Sequence, residues 1–196
     1  MANERFCAAG SRLALNMPQQ NALVLLIVRR YFAHMRFLKP TECDGWMAKA
    51  PPCPSTRTLS LHLPPESGRV LFIARSVADA IIFRQPCLLR VTESDIWDSS
   101  NNWHLYYHLR QSYGDHLLLD EAPGHLFLGH EAEDLTTFLH VAMLFGWDAE
   151  LQPLAPYLSA RLSHDGFLDL YSEDSDPLPD FRKLMEQQKL IVQTRL

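Results

Sequence analysis

The chain has 196 residues, 47% hydrophobic and 21% charged, which suits one domain with an appendage and excludes an intrinsically disordered chain. Its formal charge of −5 is uneven: residues 1–57 carry eight Lys or Arg against three Asp or Glu (+5), and residues 58–196 carry ten against twenty (−10). An acidic surface repels phosphate backbones and anionic lipid headgroups, so we expect neither nucleic acid nor a membrane as a partner.

Residues 1–54 are predicted to form a basic, partly ordered N-terminal extension that contains proline and cysteine. Apolar residues within 21–38 recur at helical spacing and predict a helix. The apolar run at 22–28 is too short to cross a bilayer, which needs about twenty residues, and it lacks a signal-peptide cleavage site. The prolines between residues 51 and 54 predict a linker. A single α+β domain is predicted to follow over residues 55–196.

The four cysteines stand at positions 7, 43, 53 and 87. No two have the C-x-x-C spacing of a redox or zinc motif, and a secreted disulfide scaffold would be shorter and richer in cysteine. The sequence therefore predicts reduced thiols and, by elimination of membrane and secretion signals, a cytoplasmic location. Cys87 opens an apolar strand and is predicted to be a buried, inert thiol.

The first half of the predicted domain contains strands around one short helix. Apolar and polar residues alternate before a proline-glycine turn, as they do in a half-buried strand. The elements predicted here, in chain order, are a strand over 58–63, a strand over 70–74, a helix over 77–83 and a strand over 87–91.

The second half adds longer helices. The clearest one has acidic residues in its first turn, where they interact favourably with the helix dipole, and Gly146 at its end. The elements predicted here are a helix over 99–113, a hairpin with arms at 116–119 and 125–128, a helix over 131–145, strands over 147–151 and 157–162, a short helix over 165–171 and a last helix over 181–191.

Short strands thus come in adjacent pairs that helices separate. This order favours an α+β fold, with an antiparallel or mixed sheet of short strands and helices packed mainly on one face, over a doubly wound parallel sheet. The sequence has no glycine-rich phosphate loop. The stretch from Trp103 to Asp148 contains the runs Tyr-Gly-Asp, Ala-Pro-Gly-His and Gly-Trp-Asp and resembles a compact bacterial domain, but it points to no named family.

The helix over 99–113 carries the predicted binding surface. Tryptophan and tyrosine anchor protein interfaces, and they also fill protein cores. Two consecutive tyrosines cannot both face the same side of a helix, so one is expected at the surface or at the edge of a groove. The predicted contact residues are Trp103, Tyr106, Tyr107 and Arg110.

The histidines offer an alternative, a zinc site, although no metal site is favoured. His104 and His108 are four residues apart on a helix, so both imidazoles can reach one ion. His130 and Asp134 only faintly echo the H-E-x-x-H motif, and they fall at a helix start, where acidic residues are expected for dipole reasons alone. The alternative ligand set is His104, His108, His125, His130 and Asp134.

The run Ser163-His164-Asp165 has the residue types of a catalytic triad. A working triad is assembled in space, however, and no G-x-S-x-G elbow supports a hydrolase. The simpler interpretation is that Ser163 caps the helix predicted over 165–171, with Asp165 in its first turn.

Two functional hypotheses remain open. The favoured one is a non-enzymatic protein-binding module of the inhibitor or immunity type, without a cofactor, whose acidic surface speeds its encounter with a basic protein partner. The alternative is a metal-dependent hydrolase that uses zinc held by the histidines and Asp134.

Overall fold

The computed structural model describes residues 36–50, 57–82, 85–94, 103–154, 158–172, 178–190 and 192–195, which belong to one compact unit. The helices are α1 (Pro40–Lys49), α2 (Ser67–Ile81), α3 (Trp103–Ser112), α4 (Ala132–Phe145) and α5 (Leu178–Gln187). The strands are β1 (Arg36–Leu38), β2 (Arg57–His62), β3 (Cys87–Glu93), β4 (Gly124–Phe127), β5 (Asp148–Pro153), β6 (Ser159–Ser163), β7 (Phe167–Ser172) and β8 (Val192–Arg195). Within these ranges, every helix falls short of the length or the apolar character that crossing a lipid bilayer demands.

The eight strands form a single sheet in the spatial order β1-β4-β3-β5-β6-β7-β2-β8. Every pair of neighbouring strands is antiparallel. Strands β5, β6 and β7 follow one another as a meander, whereas β3 pairs with β5, and β2 pairs with β7, across long intervening segments. The predicted α+β class is confirmed, and the sheet is the antiparallel one of the two types predicted.

Helices α2 to α5 cover one face of the sheet, so the prediction of helices mainly on one face is confirmed. Alternate strand residues such as Leu59, Leu61, Leu89 and Leu151 point into the core beneath these helices. Helix α2 presents to that core a stripe of apolar side chains spaced three and four residues apart. The stripe consists of Val70, Ile73, Ala74, Val77, Ala78 and Ile81. Full burial of each larger aliphatic side chain contributes about 1.5–3 kcal/mol to folding.

Helix α1 packs on the opposite face of the sheet, over β1, β3 and β4. Its Cys43 is buried beside Leu38 and Leu88, and the thiol donates a hydrogen bond to the Leu38 carbonyl oxygen at 3.6 Å. Trp46 Nε1 donates to the carbonyl oxygen of Gln152 at 3.2 Å. The compact unit therefore includes residues 36–50, upstream of the start at residue 55 that the sequence predicts.

The remainder of the predicted N-terminal extension, including the prolines between 51 and 54, lies outside the described residues. So does most of the helix predicted over 21–38. Its last three residues form strand β1, which pairs with β4. This pairing joins the segment to the edge of the sheet.

Three predicted elements have a different structure. Residues 70–74 lie inside α2, because the apolar pattern that looks like a strand over five residues continues at helical spacing to Ile81. Residues 116–119 have no regular structure and lead instead to β4. Residues 165–171 form a turn and most of β7, whose residues alternate between buried and half-buried with the period of a strand.

Gly124 in β4 lies beneath α1 and has no room for a side chain. A Cβ added there would lie 2.9 Å from Leu38 Cβ and 3.2 Å from Leu88 Cδ1, and closer still to Cys43 Sγ. We expect Gly124→Ala to lower the free energy of unfolding by about 2 kcal/mol, since overpacking a well-packed interior costs about 1–3 kcal/mol. Urea denaturation followed by circular dichroism measures the change.

The matched control for this substitution is Gly45→Ala in α1, where an added Cβ meets no atom within 4 Å. It should stabilise the protein by about 0.5–1 kcal/mol, because alanine is the better helix former. Adding Cys43→Ala to Gly124→Ala removes the closest contact and should restore part of the stability. If Gly124→Ala unfolds at the same urea concentration as the unaltered chain, the close packing of α1 on β4 is wrong.

Candidate functional site

The predicted contact helix, α3, is largely part of the core. Tyr106 and Arg110 have exposed fractions of only 1% and 0%. Trp103 and Tyr107 are half-buried, and the Trp103 ring stacks on Trp147 with 5.3 Å between the ring centroids. Tyr106 and Arg110 therefore cannot contact a partner while the protein keeps this conformation, and their packing is that of core residues.

Arg110 brings a buried positive charge into the interior. Its Nε and Nη2 both donate to Asp115 Oδ2, the first at 2.7 Å. Its Nη1 donates to the Tyr106 hydroxyl at 3.0 Å and to the Ala122 carbonyl oxygen at 3.2 Å. The guanidinium also lies 4.2 Å from the ring centroid of Phe37, a cation–π distance. One carboxylate, two neutral acceptors and an aromatic ring thus replace the water that the charge loses on burial.

His125 extends this hydrogen-bonded chain. Its Nδ1 lies 3.3 Å from the Leu89 carbonyl oxygen, and since a carbonyl only accepts, Nδ1 must carry the proton. Its Nε2 then accepts from the Tyr106 hydroxyl at 2.8 Å. Burial, reinforced by the charge of Arg110, lowers the pKa of His125 to about 3, and burial raises the pKa of Tyr106. Both side chains are therefore neutral at pH 7, and the network holds the fold without exchanging protons near neutrality.

The five predicted zinc ligands do not come together. His104 and His108 lie on the exposed side of α3, and His130 is exposed in the turn before α4, whereas His125 is in the core. In the described part of the chain, no group of three metal-binding side chains with ligand atoms within 4.8 Å of one another includes any of these four histidines or Asp134. This predicted ligand set is wrong, because α3 turns its histidines away from the sheet that carries His125.

Asp134 and the two described thiols have structural surroundings. Tyr113 donates its hydroxyl hydrogen to Asp134 Oδ1 at 2.5 Å, and burial together with that carboxylate raises the pKa of Tyr113. Cys87 is fully buried, as predicted, and burial raises the pKa of its thiol well above the usual range. Burial also raises the pKa of Cys43 to about 11. Neither thiol is a thiolate at neutral pH, so neither is an activated nucleophile.

The run Ser163-His164-Asp165 forms the turn between β6 and β7. The backbone N–H of Asp165 donates to Ser163 Oγ at 3.3 Å, and Gly166 closes the turn with a φ of +77°. The predicted helix cap at Ser163 is therefore wrong, because Ser163 pairs with Phe167 in a hairpin.

Asp148, the first residue of β5, links this turn to the sheet by a hydrogen bond. Its Oδ1 accepts the backbone N–H of His164 at 2.6 Å and lies 2.9 Å from His164 Nδ1. His164 Nε2 lies 3.5 Å from Asp165 Oδ1. Carboxylates on both sides therefore orient the imidazole.

A groove of about 290 Å³ opens where β3 ends. It is lined by Pro40, Arg90, Val91, Thr92, Glu93, Ser94, Leu119, Asp120 and Pro123. Arg90 is engaged by Asp44, with 3.1 Å between Nη1 and Oδ1. Within the described residues, neither Glu93 nor Asp120 forms an ion pair, so the groove is negatively charged.

Four carboxylates gather at this end of the sheet, and we call them the acidic end: Glu93, Asp120, Asp148 and Asp165. Glu93 stands directly opposite Asp148 in the β3–β5 pair, and Asp165 is joined to Asp148 through His164. Sequence reasoning did not single out Glu93, Asp120 or Asp148. Acidic residues at the ends of strands or in turns are the only signal for them, and such residues are common.

A second cleft, of about 340 Å³, borders His164 on the helix side of the sheet. Its walls are mainly apolar and include Met143, Leu144 and Phe145. It therefore offers no charge comparable to that of the acidic groove.

In comparisons with known proteins, no protein-family model, no curated protein and no solved structure matches this chain.

Proposed function

We propose that the protein is a non-enzymatic binding module, of the inhibitor or immunity type, whose acidic end covers a basic surface of a partner protein. The observation that supports the proposal is the groove in which Glu93 and Asp120 stand without an ion pair among the described residues. A lysine or arginine side chain of the partner would place its charge between these two carboxylates.

The charges elsewhere in the body favour the same conclusion. Residues 58–196 carry a formal charge of −10. Several of the cations in the described part are engaged by carboxylates of the same chain: Arg69 by Glu66, Arg75 by Glu133, Arg90 by Asp44 and Arg110 by Asp115. These pairs leave the acidic excess of residues 58–196 uncompensated, and this excess would attract a basic partner over about a Debye length and accelerate the encounter.

The shape of the groove suits a long basic side chain. The exposed Pro40 and the half-buried Pro123 in its wall supply apolar surface for the methylene stem of a lysine or arginine. The carboxylates of Glu93 and Asp120 supply acceptors for the charged head, and hydrogen bonds between charged groups are the stronger ones. A groove of about 290 Å³ has room for such a side chain but is small for a folded segment.

The test uses a synthetic tetralysine peptide as the probe, titrated into the full chain at low salt in buffer that contains EDTA. We expect saturable binding that weakens as salt is added, because the charges are exposed. Glu93→Gln combined with Asp120→Asn should weaken binding about fivefold, since two exposed charge pairs together contribute about 1 kcal/mol. Isothermal titration calorimetry measures the affinity, and backbone amide NMR shifts locate the peptide.

The matched control combines Asp79→Asn with Glu186→Gln, which removes the same charge from exposed positions on α2 and α5. It should weaken binding much less than the groove variant. Equal weakening by both pairs would mean that only net charge attracts the peptide. That result, or NMR shifts that avoid the groove, would contradict the proposal.

A further inference from the structure

Three side chains with metal-binding atoms meet at the acidic end, each from a different segment. Glu93 is the last residue of β3, Asp148 is the first residue of β5, and His164 lies in the β6–β7 turn. One ligand atom from each lies within 4.8 Å of the other two. They form the sole such group of three in the described part of the chain.

The strand register places two like charges side by side. Glu93 and Asp148 are direct partners in the antiparallel β3–β5 pair, an arrangement that destabilises a sheet. The register shifts between Val91 and Glu93, and this irregularity sets Glu93 opposite Asp148. Such bulges re-aim side chains and are frequent beside functional sites. A cation bound between the two carboxylates would attract both and offset their mutual repulsion.

The imidazole of His164 is held over the same position. Its backbone N–H donates to Asp148 Oδ1 at 2.6 Å, which fixes the turn relative to β5. The 2.9 Å between His164 Nδ1 and Asp148 Oδ1 matches the separation of two adjacent ligand atoms around an ion, about 3.0 Å when each lies about 2.1 Å from the metal at right angles. Without an ion, the nearer Asp148 Oδ1 favours a proton on Nδ1. An ion bound at Nδ1 would displace that proton, and Asp165, 3.5 Å from Nε2, would accept the hydrogen then carried by Nε2.

We infer that Glu93, Asp148 and His164 bind one divalent transition-metal ion of the zinc or manganese type. An imidazole with two carboxylates suits these ions, whereas calcium and magnesium prefer oxygen ligands alone. Glu93 is exposed and the other two are half-buried, so further positions on the ion remain open to water or to a group of a partner. The inference does not depend on the proposed basic partner, which would compete with the ion for Glu93.

The experiment measures the affinity of the full, untagged chain for Zn²⁺ by competition with a chromophoric chelator. We expect one ion to bind at this site, and His164→Gln and Glu93→Gln each to weaken its binding at least about tenfold, since even a group that only supports a ligand contributes 10–100-fold. Glu93 is exposed, so Glu93→Gln should fold normally and provides a result even if His164→Gln is unstable.

Two control variants show whether the loss of affinity is specific to these three ligands. His104→Gln removes an exposed imidazole on α3 and should leave the affinity unchanged. Asp120→Asn removes a carboxylate of the groove but no ligand, and it should also leave the affinity unchanged. The inference is overturned if the unaltered chain binds no Zn²⁺ up to about 1 mM, a very weak affinity. It is equally overturned if Glu93→Gln and a folded His164→Gln bind as tightly as His104→Gln.

Discussion

Asp115→Ala is expected to lower the free energy of unfolding by about 3 kcal/mol. Removing one partner of a buried ion pair leaves an uncompensated charge in the interior, which costs about 3–5 kcal/mol. Arg110 is fully buried, and without Asp115 its guanidinium keeps only the Tyr106 hydroxyl and the Ala122 carbonyl as acceptors. The expected cost lies at the lower end because the side chain of Asp115 is 16% exposed, so water can enter when it is removed. Urea denaturation at pH 7 measures it.

The comparison variant is Glu133→Ala, which breaks another arginine–carboxylate pair with two short hydrogen bonds. Arg75 Nη2 lies 2.7 and 2.6 Å from the two carboxylate oxygens of Glu133. The side chains of this pair are 57% and 79% exposed, however, so solvent already screens their attraction. We expect a loss of no more than about 0.5–1 kcal/mol, part of it because Glu133 lies in the first turn of α4 and interacts with the helix dipole. Equal effects of Asp115→Ala and Glu133→Ala would show that burial does not determine the contribution of these pairs.

A double variant distinguishes the loss of a favourable contact from the stranding of a charge. Adding Arg110→Met to Asp115→Ala removes the buried charge and keeps much of the side-chain volume. We expect this double variant to be more stable than Asp115→Ala alone, because replacing a buried ion pair with apolar groups is often neutral or stabilising. A further loss of stability would mean that the guanidinium contributes mainly through its contacts with Tyr106 and Phe37.

The elements that the sequence predicts well have local causes. Helix α4 is predicted over 131–145 and occupies Ala132–Phe145. Glu133 and Asp134 lie in its first turn, and Gly146 ends it in the left-handed conformation with a φ of +62°. Strand pairing has no such local cause. Strand β3 lies beside β5, and β2 lies between β7 and β8. This strand order depends on how the helices pack on the sheet, and no local turn signal in the sequence specifies it.

The two tyrosines of α3 show why consecutive aromatic residues are a weak indicator of a contact surface. Tyr106 and Tyr107 are consecutive, so the sequence predicts one of them at a contact surface. Tyr106 faces the sheet and is buried, and Tyr107 is half-buried because the segment after α3 folds back so that the Leu119 N–H donates to the Tyr107 hydroxyl at 3.2 Å. This cover comes from residues a dozen positions away without regular structure, which neither periodicity nor propensity predicts.

The acidic end could not be predicted from the sequence, for a related reason. Glu93, Asp120, Asp148 and Asp165 belong to four segments, and each alone is an ordinary polar residue at the end of a strand or in a turn. They become neighbours because β3 and β5 pair in one register and the β6–β7 turn folds over Asp148. A shift of that register by one residue would send the side chains to opposite faces and separate the group.

Acidification is expected to destabilise the protein through His125. Its pKa is about 3 in the folded protein, against an ordinary value of 6.5 that the unfolded chain regains. Between these two values the unfolded chain binds a proton that the folded protein does not, so stability falls as the pH falls. Within that window, this one group makes the free energy of unfolding fall by about 1.4 kcal/mol for each pH unit of acidification. Above the window, it adds no pH dependence. Urea denaturation at pH 7, 6, 5 and 4 gives the slope.

The cause of this slope is specific to the buried network. Protonation would put a second positive charge beside Arg110 and turn Nε2 into a donor, so that it faces the hydroxyl hydrogen that Tyr106 now donates to it. Hydrogen bonds to the Leu89 and Pro123 carbonyls favour the charged form, but burial and Arg110 outweigh them. His125→Gln keeps hydrogen-bonding groups and cannot titrate, so stability should fall less steeply on acidification than in the unaltered chain. His108→Gln, at an exposed position, should leave the slope unchanged. A His125→Gln variant with the full slope would show that carboxylates, and not this imidazole, carry the acid sensitivity.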